Sequence, residues 1–195
     1  MSSVAAIILA AGQGSRFGAE LKLLAPLNGK PLVRHVAEAA LRSSAAPVIV
    51  VTGHRAEEVE GSLIPSSLTT IRNPGFAEGL SASLKAGFKA LPEEAEAAIV
   101  LLADMPLVTG RLIDELLAAW HDSGKPTALV PVCDGRRGNP VVLSRSLQAS
   151  IEALLGDRGA GAMLRAHPDV LEWPTYDRAV LQDVDTPAAL LDVGG

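Results

Sequence analysis

Short β-branched runs alternate with longer stretches of helical periodicity along this chain. Val4–Leu9 is a continuous apolar run, which predicts a strand buried on both faces. Pro31–Ser43 has apolar residues at Leu32, Val33, Val36, Ala39 and Ala40, the spacing of a helix with one buried face. Val48–Val51 predicts a second strand, Arg55–Ser62 a short helix and Leu68–Ile71 a third, weaker strand. A helix over Leu80–Ala90 precedes a fully buried strand, Ala98–Leu102. Thr109 is placed to cap an amphipathic helix reaching about His121. Ala128–Val132 and Pro140–Leu143 predict strands on either side of the polar stretch Asp134–Asn139. Ser144 suits the cap of a helix ending near Gly156, and Ala160–Ala166 reads as another. Leu181–Val184 predicts a last short strand, and Pro187 the first turn of a closing helix.

Strand–helix alternation with unbroken apolar strands implies an α/β fold, a Rossmann-like three-layer sandwich around a mostly parallel sheet. The chain has 195 residues, which suits one domain, and it shows no repeat or linker that would divide it. Only 3% of residues are aromatic, so the core must be aliphatic. The net charge is −5 with no basic tract, which argues against nucleic acid as a partner. One cysteine, Cys133, excludes an internal disulfide and a cysteine-based zinc site, and reads as a small buried hydrophobe. No positive segment precedes the first apolar run, and no run is long enough to span a membrane. A cytoplasmic protein without membrane contact is the expectation.

Ligands in open α/β sheets bind beyond the carboxyl ends of the strands. The first such loop runs Leu9-Ala10-Ala11-Gly12-Gln13-Gly14-Ser15-Arg16-Phe17-Gly18, with Lys22 shortly after. Small residues there let backbone N–H groups approach a phosphate, and Arg16 and Lys22 add fixed positive charge. A Gly-rich turn with two surface cations is the plainer alternative. The spacing is neither that of a Walker A loop nor G-x-G-x-x-G. Asp104 follows a buried strand, where a magnesium-holding carboxylate belongs; its plainer role is a turn before Pro106. His35, His54, His121 and His167 show no metal spacing, though His54 sits in a candidate loop. Trp120, at the end of its helix, suits packing.

Leu9 to Gly18 followed by Lys22 resembles the nucleotide-binding signature of the MobA-like nucleotidyltransferases, L-A-[AG]-G-x-x-x-R-[MF]-G with a lysine just beyond. Further family landmarks come in order: the loop Val51-Thr52-Gly53-His54, the segment from Asn73-Pro74-Gly75-Phe76 through Gly79-Leu80-Ser81-Ala82-Ser83, the turn Leu102-Ala103-Asp104-Met105-Pro106, and Asp183-Val184-Asp185-Thr186-Pro187. The resemblance covers about Val4 to Leu190 and implies the nucleotide-diphospho-sugar-transferase type of fold. It also implies that residues 1–105 hold a nucleotide and 106–195 an acceptor. The nucleotide contacts it implies are Leu9, Ala10, Ala11, Gly12, Gly14, Ser15, Arg16, Lys22, Gly53, Asn73, Gly79, Ser81 and Asp104. Arg16, Lys22 and Asp104 are the implied catalytic residues. Magnesium, or manganese in its place, is expected on Asp104 and on Asp183 or Asp185, of which Asp185 is favoured. Ser81 and Ser83 have helix capping as their plainer role.

The L-A-A-G form of the loop is similar to that of the molybdenum cofactor cytidylyltransferases, which implies CTP as donor and a molybdopterin-type acceptor, with a recipient molybdoenzyme as a further partner. Ala11 adds a methyl where glycine leaves room for a larger base, a difference of only ~1–3 kcal/mol. Arg136-Arg137-Gly138-Asn139-Pro140-Val141 and Gly156-Asp157-Arg158-Gly159-Ala160-Gly161 resemble two further segments of those enzymes. Asn139 stands where the first has His, and Gly161 where the second has Arg. Other classes remain open: transfer from another nucleotide or to a sugar phosphate or other small acceptor, a non-catalytic pterin carrier, or an oxidoreductase on the same fold.

Overall fold

The computed structural model describes residues 3–14, 17, 21–63, 67–156 and 159–194. The first strand, β1 (Ser3–Ala10), is buried from Val4 onward. A two-strand hairpin follows, β2 (Pro26–Leu27) and β3 (Lys30–Pro31). It turns on Asn28 and Gly29, both at positive φ (50° and 75°), as a two-residue hairpin loop requires. Then come α1 (Leu32–Leu41), β4 (Val48–Thr52), α2 (Ala56–Ser62), β5 (Thr69–Arg72), α3 (Leu80–Lys89) and β6 (Ala95–Leu102). The second half supplies α4 (Gly110–Asp122), β7 (Ala128–Cys133), β8 (Arg136–Arg137), β9 (Val141–Ser144), α5 (Gln148–Glu152), α6 (Ala160–Ala166), β10 (Val170–Pro174) and α7 (Pro187–Gly194).

One sheet runs β5-β4-β1-β6-β9-β7-β10, with β8 on β7. The pairs β1–β4, β1–β6, β4–β5 and β7–β10 are parallel. β9 runs antiparallel to both neighbours. The residues of β1 alternate between two cores. Val4, Ala6, Ile8 and Ala10 face α1 and α4, where Val36, Leu116 and Trp120 lie. Ala5, Ile7 and Leu9 face α3, α5 and α6, where Leu84, Phe88, Ile151 and Leu164 lie. This is the three-layer α/β sandwich that the strand pattern predicts, in one domain.

Most elements lie within a few residues of their predicted bounds. Thr109 caps α4 by accepting the Leu112 N–H at 3.2 Å. Cys133 is buried, and Trp120 is 2% exposed with its indole N–H on the Pro126 carbonyl. Two predictions need correction, and one strand is unforeseen. Leu181–Val184 is not a strand: Asp177 accepts the Ala179 N–H at 2.9 Å and starts a 3-10 turn, Arg178–Leu181. The real late strand is β10, on the sheet edge, where no continuous apolar run is needed. The helix after Ser144 is also shorter, because Ser144 caps a 3-10 turn, Arg145–Leu147, before five residues of α5.

Beside the sheet's far edge, Thr52 and Arg72 hydrogen-bond Glu60. Thr52 Oγ1 donates to Glu60 Oε1 at 2.9 Å, and Arg72 donates to both carboxylate oxygens at 2.7–3.2 Å. The Arg72 hydrogen bonds hold the Glu60 carboxyl below its usual range, against the opposing effect of burial. A depressed carboxylate adds stability that is present above its unfolded pKa and lost as pH falls through the folded one. Glu60→Gln is therefore expected to be less stable than wild type in urea at about pH 6.5, with the gap closing as the pH falls below the ordinary carboxylate range. A gap independent of pH, followed by circular dichroism, removes the ion pair from the account.

Candidate functional site

β1 and β6 lie side by side with Leu9 opposite Leu102. From β1 the chain crosses to β4 on one side, and from β5 it returns through α3 to β6 on the other. Such a reversal leaves a crevice beyond the strand ends. A cavity of about 510 Å³ occupies it. Leu9, Ala11, Gly12, Gly14, Lys22, Gly79 and Asp104 line it, seven of the residues expected to hold a nucleotide.

The loop after β1 must fold tightly to reach it. Gly14 has φ of 58°, and a methyl there would lie 2.8 Å from Lys22 Cβ, so only glycine fits without moving the lysine. Lys22 opens a 3-10 turn, Lys22–Leu24, and is 8% exposed. Its Nζ donates to Asp104 Oδ2 at 2.6 Å and to Asp185 Oδ1 at 3.0 Å. Burial, the largest influence, pushes the Lys22 pKa down, but the charges and hydrogen bonds of Asp104 and Asp185 together raise it above its ordinary value. The ammonium is protonated throughout the neutral range.

Three distant parts of the chain meet here. Asp104 sits in the turn after β6, whose Met105 N–H returns to the Leu102 carbonyl at 3.2 Å. Asp185 is carried by a segment tied to that turn by a backbone hydrogen bond, Val184 N–H to Asp104 O at 2.9 Å. Val184 is fully buried in a small third core with Phe17, Ala25, Leu27 and Leu32. Asp183 is exposed, whereas Asp185 reaches Lys22. The structure thus joins Asp185, not Asp183, to Asp104. Asp104 Oδ1 is buried and accepts no hydrogen bond from the described residues. A hard, charged oxygen left so suits a divalent cation, and magnesium typically takes one or two carboxylates plus phosphate oxygens. Among the described residues no cluster of three or more His, Cys, Asp or Glu forms a closed metal cage.

The other expected residues are placed differently. Ser15 and Arg16 lie outside the described residues. Ala10 is buried in β1 opposite Thr52 and does not face the cavity. Gly53 lets Phe76 and Ala11 meet: a methyl there would lie 2.6 Å from Phe76 Cβ and 2.8 Å from Ala11 Cβ. Asn73 is a buried brace, accepting the Gly75 N–H at 3.0 Å and donating to Ser83 Oγ at 3.2 Å. Ser81 is buried, with its N–H on the Gly156 carbonyl, whereas Ser83 lines the cavity. Residues two apart on a helix face different ways, so only one of these serines can point in. His54 packs its ring 5.9 Å from that of Phe76 and lines neither this cavity nor the next.

Gln13, Leu23, Phe76, Ala77 and Leu80 complete the wall, and sequence reasoning did not single them out. Phe76, Ala77 and Leu80 stand inside the motif that begins at Asn73, which was the available signal. A second cavity of about 250 Å³ abuts the first across Leu9, Leu80 and Leu102. Its floor is aliphatic, including Leu84, Val100 and Leu164, and Arg137, Asn139 and Arg165 are its charged and amide groups. Glu172 engages Arg137 at 2.7 Å. Among the described residues no helix is long and apolar enough to cross a membrane.

Comparison with known proteins agrees with this geometry. The bifunctional protein GlmU of Bacillus velezensis is 33% identical over 162 residues, which is 82% of this chain and 35% of GlmU. The chain thus spans about a third of the length of that relative. Nicotine blue oxidoreductase of Paenarthrobacter nicotinovorans is 29% identical over 189 residues, 94% of this chain and 92% of that protein. Rv0371c of Mycobacterium tuberculosis H37Rv superposes with a TM-score of 0.86 at 21% identity, covering 99% and 98% of the two chains. A structure of Rv0371c in complex with manganese superposes at 0.81, with 19% identity and 98% of each chain covered. The family described as the MobA-like NTP transferase domain matches residues 6–170, and the chain belongs to it.

Proposed function

We propose that this protein is a magnesium-dependent cytidylyltransferase that moves CMP from CTP to a phosphorylated acceptor of molybdopterin type and releases pyrophosphate. The observation that carries the proposal is the convergence of Lys22, Asp104 and Asp185 at the strand ends, where the Gly12–Gly14 loop and two cavities meet. The larger cavity takes the nucleotide. The Gly12–Gly14 backbone, with Arg16, holds the β- and γ-phosphates. Lys22 stabilises charge growing at the α-phosphorus, and Asp104 and Asp185 hold the metal. Bound magnesium neutralises phosphate charge and orients the reacting oxygens. No protein nucleophile is needed, because an acceptor phosphate is already ionised near neutral pH and attacks the α-phosphorus itself. Catalysis is positioning and charge stabilisation.

The smaller cavity takes the acceptor, whose phosphate meets the nucleotide across Leu9, Leu80 and Leu102. That cavity draws on β1, α3 and β6 as well as on residues beyond 106, so the two halves of the chain share it. Asn139 and Arg165 are the groups available to orient the acceptor. Rv0371c, which shares the fold, has been solved in complex with manganese, which supports the use of a divalent ion.

Ala11 is fixed against Gly53 on the cavity wall, and its methyl favours a smaller base. CTP with magnesium is expected to raise the melting temperature more than GTP. A ligand at a hundredfold excess over Kd adds about 2.7 kcal/mol. A larger shift with GTP in a matched titration overturns the base assignment. Pyrophosphate release from each nucleoside triphosphate, with molybdenum cofactor and with a panel of sugar phosphates, tests donor and acceptor together.

A second reading is favoured by one comparison: the relative named nicotine blue oxidoreductase matches nearly the full length of this chain. A redox enzyme on this fold needs a bound flavin or nicotinamide, and the sequence has no G-x-G-x-x-G fingerprint. Nicotinamide oxidation by the purified protein, with no pyrophosphate release from any nucleotide, selects that reading.

A further inference from the structure

Lys22 spans the two carboxylates that the proposed function gives to the metal. Its Nζ donates to both, at 2.6 Å to Asp104 Oδ2 and 3.0 Å to Asp185 Oδ1. An ammonium hydrogen-bonded to a pair of carboxylates and a divalent cation bound by the same pair compete for the same oxygens, and the two cations repel. Lys22 is also 8% exposed, so it cannot simply withdraw into water. A buried charge leaves its partner only for another partner. The nearest such place is the cavity that Lys22 itself lines with Gly12 and Gly14, the proposed seat of the triphosphate.

We propose that Lys22 is a latch on the metal site: without nucleotide it holds Asp104 and Asp185 closed, and the nucleotide's phosphates open them by drawing the ammonium away. The inference rests on Asp104 and Asp185 being the metal ligands. One oxygen of Asp104 is held by the latch, while the other, Oδ1, is buried and accepts no hydrogen bond from the described residues. The carboxylate is therefore half committed in the resting state and is freed as the phosphates arrive. Metal and nucleotide then bind cooperatively, and by linkage each raises the affinity of the other by the same factor. A metal ion without nucleotide is held weakly, which keeps the site from filling with a stray cation before the substrate is in place.

The test counts free manganese by electron paramagnetic resonance against wild type, Lys22→Met and Asp104→Asn, each alone and with CTP or GTP. Without nucleotide, Lys22→Met is expected to bind manganese more tightly than wild type by about 5–150-fold, the usual range for coupled sites. Nucleotide should then tighten manganese binding in wild type by a larger factor than in Lys22→Met. Equal nucleotide-free affinities overturn the latch and leave the metal ligands standing. Wild-type manganese binding by Asp104→Asn in the presence of nucleotide overturns the metal assignment itself, and the latch with it. If Lys22→Met does not fold, Lys22→Gln makes the same comparison, since its amide keeps one hydrogen bond to the carboxylates without the charge.

Discussion

Asp104→Asn is expected to fold and to lose nucleotidyl transfer. Asparagine keeps the size of the side chain and the tight turn after β6, where Met105 N–H meets the Leu102 carbonyl. The backbone bond from Val184 N–H to Asp104 O is untouched, so Asp185 stays in place. What disappears is the negative charge that faces Lys22 and, on the proposed reading, magnesium. Metal polarisation of a phosphoryl oxygen is worth several kcal/mol, so a fall of on the order of 10³ in rate is expected. The melting temperature should fall as well, because among the described residues Lys22 keeps only Asp185 as its anionic partner. Transfer and melting are read on the same preparation. Turnover within about threefold of wild type at saturating magnesium makes Asp104 a turn residue only.

Much of the frame that positions this site was legible in the sequence. The apolar runs at Val4–Leu9 and Ala98–Leu102 marked the two central strands, because a strand covered on both faces has no polar alternation to blur it. Their neighbouring loops then had to carry the ligand. The edge elements were less legible. β10 leaves its side chains partly exposed and reads like a loop, and the β2–β3 hairpin is only two residues wide on each side. Asn28-Gly29 was the available signal for that hairpin.

Within the site, local pattern identified residue types better than directions. Asp104 and Lys22 could be named from the loops they occupy, but their 2.6 Å contact joins residues 82 apart, and no local period encodes it. That Asp185 rather than Asp183 meets Lys22 is likewise a contact between residues 163 apart, which belongs to tertiary packing. The same holds for Ser81 and Ser83. Both open α3, and which one faces the cavity depends on how the helix rests on β1. Asn73, expected as a nucleotide contact, shows the converse. Its amide is occupied by Gly75 and Ser83, so it shapes the turn that carries Phe76 and Gly79 rather than lining the cavity.

Lys22→Ala is expected to lower kcat rather than merely raise KM. The lysine lines the cavity beyond the strand ends, is nearly buried, and is held protonated by Asp104 and Asp185. If its charge meets the α-phosphate as negative charge grows there, its removal costs the transition state more than the ground state. One such electrostatic contact is typically worth ~10²–10³ in rate, or about 2.7–4 kcal/mol. A lysine that only braces the two carboxylates costs stability when removed and leaves kcat of the folded enzyme unchanged, so the two roles differ in which measurement moves. The latch sharpens the expectation. Lys22→Ala should take up metal readily in the absence of nucleotide and still turn over slowly, because filling the metal site does not replace the missing charge. Lys22→Arg separates charge from shape. It keeps the cation but replaces a compact ammonium with a planar fork. A fork cannot reproduce the single ammonium's contacts with Asp104 Oδ2 and Asp185 Oδ1. It should bind nucleotide and turn over slowly. Wild-type kcat in Lys22→Ala, with the fold intact by circular dichroism, would falsify the catalytic role and leave the lysine as a closure on the two carboxylates.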